Sequence, residues 1–288
     1  MSQAPSTRKP PSSAAATAPV TSTGSNKFTV SSGPQQRGQR IIIHGPSGSG
    51  KTTLAALIEK ARFIDRDSDG SKGLRVSRVE GIETFDDAML AMNTPALWEG
   101  INTVVVDSGT AFQQLATLSV IGETKLGEKP KSIEAVGGGF GKGFTMVGEK
   151  MNLLLANMDR HVEKGRNVVL ICHSVTGEVS NPEGDNYLQH QLALMQTKSV
   201  HLRTRFEGWA DHILFIARDV AVTNGKGSSK GTRAIQTVWS PWWVAKTRTF
   251  ITADDATERS LPTDIVYYDP RTDPEGAAEV WRLLGFNK

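Results

Sequence analysis

The run GPSGSGKTT at residues 45–53 constrains the fold of this chain more than any other segment. It carries the spacing G-x-x-x-x-G-K-[ST], with Gly45, Gly50, Lys51 and Thr52 at the four set places. Glycines at that spacing let successive backbone N–H groups curl round a β-phosphate, the lysine reaches the β/γ oxygens, and the hydroxyl joins a Mg²⁺ shell. Ile41-Ile42-Ile43-His44 ahead of it reads as a short buried strand. Residues 53–60 behind it read as a helix whose N-terminus adds positive dipole at the same point. Strand before and helix after argue against an accidental glycine-rich turn. Gly45, Pro46, Ser47, Gly48, Ser49, Gly50, Lys51, Thr52 and Thr53 are therefore a candidate cradle for ATP.

Composition narrows the class. At 288 residues and 38% hydrophobic content, the chain has enough apolar surface for a packed core. No apolar run approaches the length of a membrane span, and the first twenty residues lack the apolar stretch of a signal peptide. A single cysteine, Cys172, excludes an internal disulfide, and the six histidines show no ligand spacing with it, which fits a reducing cytoplasm and no structural zinc. Charge is uneven: Arg8, Lys9, Lys27, Arg37 and Arg40 give residues 1–40 a charge of +5 with no acid, so the rest of a chain of net +3 stands at −2. Residues 1–37, rich in Ser, Thr, Ala and Pro, are expected to be a disordered basic tail, either solvating or a weak arm for nucleic acid or a partner, ahead of one domain over 38–288.

Along that domain, strands are expected at 61–65, 74–79, 101–108, 167–173 and 211–217, and helices at 84–93 and 145–164. Polar loops are expected at 122–143 and 174–189. Residues 220–223 and 232–239 flank a turn-forming stretch and read as an antiparallel hairpin. The fold class is thus α/β, with a mostly parallel central sheet flanked by helices and a C-terminal antiparallel hairpin.

Asp107 ends the strand Val104-Val105-Val106 at the edge where open α/β sheets bind ligands, placed with Thr52 to hold Mg²⁺; a plain strand-capping acid is the alternative. Asp65 and Asp67 end the strand after the first helix, where a carboxylate can polarise water, or form a surface turn. His173 ends another strand and either senses a γ-phosphate or closes the strand structurally. Trp239, Trp242 and Trp243 read as core or interface, or as stacking platforms.

The ordered series GPSGSGKTT (45–53), FIDRDSDG (63–70), VVVDSGTAF (104–112), VVLICHS (168–174), ADHILFI (210–216) and VAKTR (244–248) resembles the RecA-type recombinase core. It is most similar to phage-encoded RecA-like ATPases that anneal single strands, from about residue 38 to about 253. The resemblance implies a Mg²⁺-dependent ATPase acting on single-stranded DNA in recombination or replication. Its catalytic carboxylate falls on Asp67, where RecA has glutamate, and its sensor on His173, where RecA has glutamine. The basic pair that RecA reaches into a neighbour's ATP site falls on Lys246 and Arg248, and the DNA-binding loops fall on residues 137–144 and 175–189. Phe140, Lys142 and Phe144 suit stacking and phosphate contact with a single strand. Implied partners are single-stranded DNA, further copies of the chain in a ring or filament, and a single-strand DNA-binding protein, in a host cytoplasm. The alternatives are a nucleotide-gated DNA-binding adaptor with little turnover and a phosphate-loop kinase.

Overall fold

The computed structural model describes residues 37–66, 71–123, 132–223, 226–228, 231–251, 258–259, 261, 266–273 and 276–287. The basic tail expected over 1–37 lies outside these residues apart from Arg37.

The first strand, β1 (Arg40–Gly45), is buried almost throughout, and its isoleucines alternate between two cores. Ile42 packs with Ile64, Val104, Val106, Val168 and Leu170 on one face of the sheet, while Ile41 and Ile43 pack with Phe63, Val105, Val169, Ile171 and Leu214 on the other. A sheet covered on both faces needs apolar side chains at every position, hence near-continuous apolar runs instead of alternation.

The elements follow in order: α1 (Lys51–Ala56), β2 (Ala61–Asp65), β3 (Ser77–Val79), α2 (Phe85–Asn93), β4 (Thr103–Asp107), α3 (Gly109–Glu123), α4 (Lys142–Glu163), β5 (Asn167–Val179), β6 (Tyr187–Leu192), α5 (Leu202–Trp209) and β7 (His212–Arg218). The later ones are short: β8 (Ala221–Thr223), β9 (Lys226–Ser228), β10 (Arg233–Gln236), β11 (Lys246–Thr247), β12 (Phe250–Ile251), β13 (Glu258–Arg259), β14 (Val266–Tyr268) and α6 (Ala278–Leu283). The sheet runs β14-β10-β7-β1-β5-β4-β2-β3, parallel from β7 to β3, with β10, β11 and β14 added antiparallel beyond β1. The phosphate-loop strand β1 is central, and β5 separates it from β4, which ends in Asp107.

Two helices show how the local code works. Thr84 caps α2: its hydroxyl accepts from Asp87 N–H while the Asp87 carboxylate accepts from Thr84 N–H, so two otherwise unpaired donors are satisfied. In α4, Val147, Met151, Leu154, Leu155, Met158 and Val162 recur at helical spacing and are all buried. On the other face of the sheet, α6 closes over α1, with the Trp281 indole N–H donating to the Leu54 carbonyl at 2.7 Å.

Two expectations change. The loop expected at 174–189 is mostly an antiparallel ribbon: β5 continues to Val179 and pairs with β6, Ser174 opposite Leu192 and Val179 opposite Tyr187. Its side chains are mainly exposed or half-buried, so no apolar run marks it; backbone pairing holds it. The C-terminal antiparallel element is present with different partners. β8 pairs with β9, whereas β10 pairs with β7, the longer and more apolar strand. Residues 224–225 and 229–230 of the intervening turn lie outside the described residues.

Candidate nucleotide site

The phosphate loop leaves β1 beside β7 so tightly that a Cβ on Gly45 would sit 2.0 Å from the Ile216 carbonyl oxygen, which backbone cannot concede. Gly48 and Gly50 then take φ of 71° and 101°, open to glycine at little cost, and Gly50 delivers the chain into the N-terminus of α1.

Lys51 opens α1 and is only 6% exposed. Its ammonium donates to the carbonyls of Gly45 at 3.0 Å and Pro46 at 2.9 Å, within the loop it belongs to. Burial holds its pKa below the ordinary lysine value, and the charge of Asp107 works against that. The Thr52 hydroxyl donates to Asp107 Oδ2 at 2.7 Å, joining the loop to the end of β4 across the intervening strand. The Ser49 hydroxyl is buried with no hydrogen-bond partner. An orphaned hydroxyl, a buried cation resting on its own loop and an open helix N-terminus together fit a phosphate chain. The oxygen pair Thr52–Asp107 fits a hard divalent cation that keeps most of its waters. Among the described residues no group of three or more His, Cys, Asp or Glu forms a dedicated metal cage.

A pocket of about 400 Å³ lies over the loop, walled by Lys51, Thr52, Asp107 and Ser108, by His173 and by Arg233. His173 is exposed and sits in register with Gly45 at the end of the buried part of β5, its N–H donating to the Thr110 hydroxyl at 3.2 Å. Asp65 is paired in register with Asp107, is buried, and accepts the Ser71 hydroxyl. Asp67 lies outside the described residues.

Cys172 and His44, which flank the loop's strands, are sealed in. Burial pushes the Cys172 thiol up to about 12, and burial lowers His44 to about 4. The neutral His44 ring donates to the Val244 carbonyl at 2.6 Å and accepts the Ser174 hydroxyl at 2.8 Å, which ties the ribbon to β1.

Lys246 and Arg248 share a face, as their spacing suggests, but they lie at the other edge of the sheet. β11 pairs with the start of β7, and there Lys246 donates to the Glu207 carbonyl while Arg248 donates to the Gly208 carbonyl at 3.2 Å and pairs with Asp211 at 3.4 Å. Two cations thus cap the carboxyl end of α5, and the fold does not bring them to this chain's own phosphate loop.

Of the three residues proposed for DNA, Phe140 is fully exposed, at 101%, and Lys142 is exposed. Phe144 is not: it lies within α4, half-buried against the core, because the helix begins at Lys142 and turns that ring inward. Trp239 and Trp242 are exposed, whereas Trp243 stacks on Phe215 at 5.8 Å, with His190 on the same ring at 5.1 Å. Arg233 and its strand neighbour Arg218 had no sequence signal; only the pairing of β10 with β7 carries them to the loop.

A solved structure of a KaiC-like protein from the hyperthermophilic archaeon Pyrococcus horikoshii OT3 matches with 15% identity and a TM-score of 0.39, over 81% of this chain and 90% of that one. No curated protein matches the sequence. The family model described as an AAA domain matches residues 37–249, nearly the whole sheet with its phosphate loop, and the chain belongs to that family of phosphate-loop ATPases.

Proposed function

We propose that this ATPase acts on single-stranded DNA in recombination or replication, annealing or exchanging strands as the phage-encoded proteins it resembles do. The observation that carries the reading is Phe140. It stands fully exposed at φ 55° among Gly137, Gly138, Gly139 and Gly141, all at positive φ, with Lys142 next to it at the start of α4. A bulky residue held in the left-handed region costs of order 1–3 kcal/mol, and such outliers cluster where a side chain is presented to a ligand. An exposed ring beside a cation on flexible backbone suits a base stacked over a phosphate.

The nucleotide site supports the chemistry. Lys51 and the N-terminus of α1 hold the β/γ-phosphates, and Thr52 with Asp107 would hold Mg²⁺, which when bound neutralises charge developing on the transferred phosphoryl group. His173 faces the same pocket from β5 and provides a hydrogen-bonding group at the γ end, while Asp67 remains the carboxylate assigned to the attacking water. Lys246 and Arg248, remote from their own loop, fit a side-by-side assembly in which they approach a neighbour's.

The test is the ATPase rate of the full chain with and without single-stranded DNA. Acceleration by DNA is expected. Turnover indifferent to DNA, with no DNA binding, overturns the reading, and DNA binding without turnover selects the adaptor instead.

A further inference from the structure

Arg218 and Arg233 stand directly opposite each other on the antiparallel strands β7 and β10, so their side chains share one face of the sheet. Like charges facing across a strand pair repel, and here both reach the phosphate loop. Arg218 Nη2 lies 3.9 Å from where a Cβ on Gly48 would be, and Arg233 Nε lies 3.9 Å from that point on Gly50. Arg233 also lines the pocket over the loop, and its Nη1 is buried with no hydrogen-bond partner. Among the described residues no carboxylate pairs with either guanidinium. Asp107, the only acid among the described residues that line the pocket, accepts from Thr52 on the far wall. Tyr268, opposite Arg233 on β14, brings its hydroxyl within 3.4 Å of the Gly50 Cβ position. A half-buried guanidinium whose Nη1 is buried without a partner, set opposite a second guanidinium, is satisfied best when an anion occupies the space beside them.

We propose that Arg233 and Arg218 form a cationic clamp, supplied within the chain itself, for the α-phosphate end of the bound nucleotide. The inference rests on the nucleotide-binding reading of the loop. Direction follows from the sheet order: Thr52, Asp107 and His173 lie toward β5 and β4, so the metal and the γ-phosphate belong on that side of β1. Arg233 and Arg218 lie two strands and one strand away on the other side. The clamp therefore holds what ATP and ADP have in common, without the metal.

The experiment titrates the full chain with N-methylanthraniloyl ADP and ATP, each in Mg²⁺ and in EDTA, alongside thermal melts. R233Q should weaken ADP and ATP by the same factor, roughly ten- to a hundredfold for one charge-assisted contact, in EDTA as in Mg²⁺. R233K should recover part of the loss. R218Q, a change at an exposed side chain that leaves folding intact whatever R233Q does, should weaken both nucleotides by a smaller factor. Parent-like ADP affinity in R233Q, or in R218Q should R233Q not fold, removes the clamp. A loss confined to ATP in Mg²⁺ would put Arg233 at the γ end and also overturn the assignment. K51A separates the two readings: retained nucleotide binding there sinks the phosphate-loop reading, whereas loss in K51A with no effect of R233Q or R218Q sinks the clamp alone.

Discussion

Two turns in this protein share one local design and do opposite things with it. Gly50-Lys51 opens α1 and Gly141-Lys142 opens α4, each with a left-handed glycine at the helix cap, at φ 101° and 78°, and a lysine as the first helical residue. Each also depends on a glycine where backbone passes close: a Cβ would come within 2.0 Å of the Ile216 oxygen at Gly45 and within 2.2 Å of the Ile133 oxygen at Gly143. Yet Lys51 is buried, with Asp107 across the Thr52 hydroxyl, while Lys142 stands in solvent beside an exposed ring. A turn of this kind offers N–H donors and a cation. What it grips depends on the strand that feeds it and on the walls around it.

The largest expected effect breaks that comparison at its buried end. K51A removes the cation proposed to hold the β/γ-phosphates and should lower ATP turnover by about a hundredfold or more, read as phosphate release. K142A should leave turnover without DNA near the parent rate. Equal losses in the two variants would mean the turns are not functionally distinct.

D107N tests the wall. It keeps the shape and deletes the charge, so the Mg²⁺ concentration for half-maximal activity should rise about ten- to a hundredfold with little change in melting temperature. An unchanged metal requirement would leave Asp107 as a strand cap.

Burial of the strand feeding the loop carries a pH signature. His44 is held neutral to about pH 4, and burial lowers His161 and His212 to about 4 as well. The unfolded chain takes up those protons near pH 6.5, so stability is complete above that pH, falls as pH drops from 6.5 to 4, and levels off below. His44 alone should account for about 3 kcal/mol, measured by urea unfolding across that range. A flat profile would show that the strand admits the proton or that water reaches it.

The exposed turn gives the smaller effects and sharpens the contrast within its own aromatic pair. F140A should weaken single-strand binding by about 1–3 kcal/mol without changing its salt slope. K142A should lower the slope by about one unit. F144A should instead lower folding stability by about 2 kcal/mol, since its ring packs on the core. DNA affinity untouched in F140A and K142A would return the turn to a purely structural role.

Much of the fold was legible because its signals are local. Helix α2 follows from apolar residues at helical spacing over 84–93, and β4 from three consecutive valines that both cores require. The β5–β6 ribbon was not legible, because the β5 extension is mainly exposed or half-buried and the buried positions of β6 include the polar Gln189 and Gln191, so no apolar period marks it. Neither was the inward turn of Phe144, since two phenylalanines four apart look equivalent until it is known that the helix starts between them.

The sequence by itself determined the phosphate loop, the acid that faces it and the parallel sheet, because each rests on spacing within a dozen residues or on the burial of one strand. Tertiary structure alone decided which cations share that site. Arg233 lies 182 residues from Lys51 yet lines its pocket, while Lys246 and Arg248, inside a motif that looked catalytic, cap α5 at the opposite edge of the sheet. The reason is the direction of strand pairing. β10 starts level with the loop and runs back antiparallel along β7, β11 pairs with the start of the same strand, and no local pattern encodes which end of a neighbour a strand will meet.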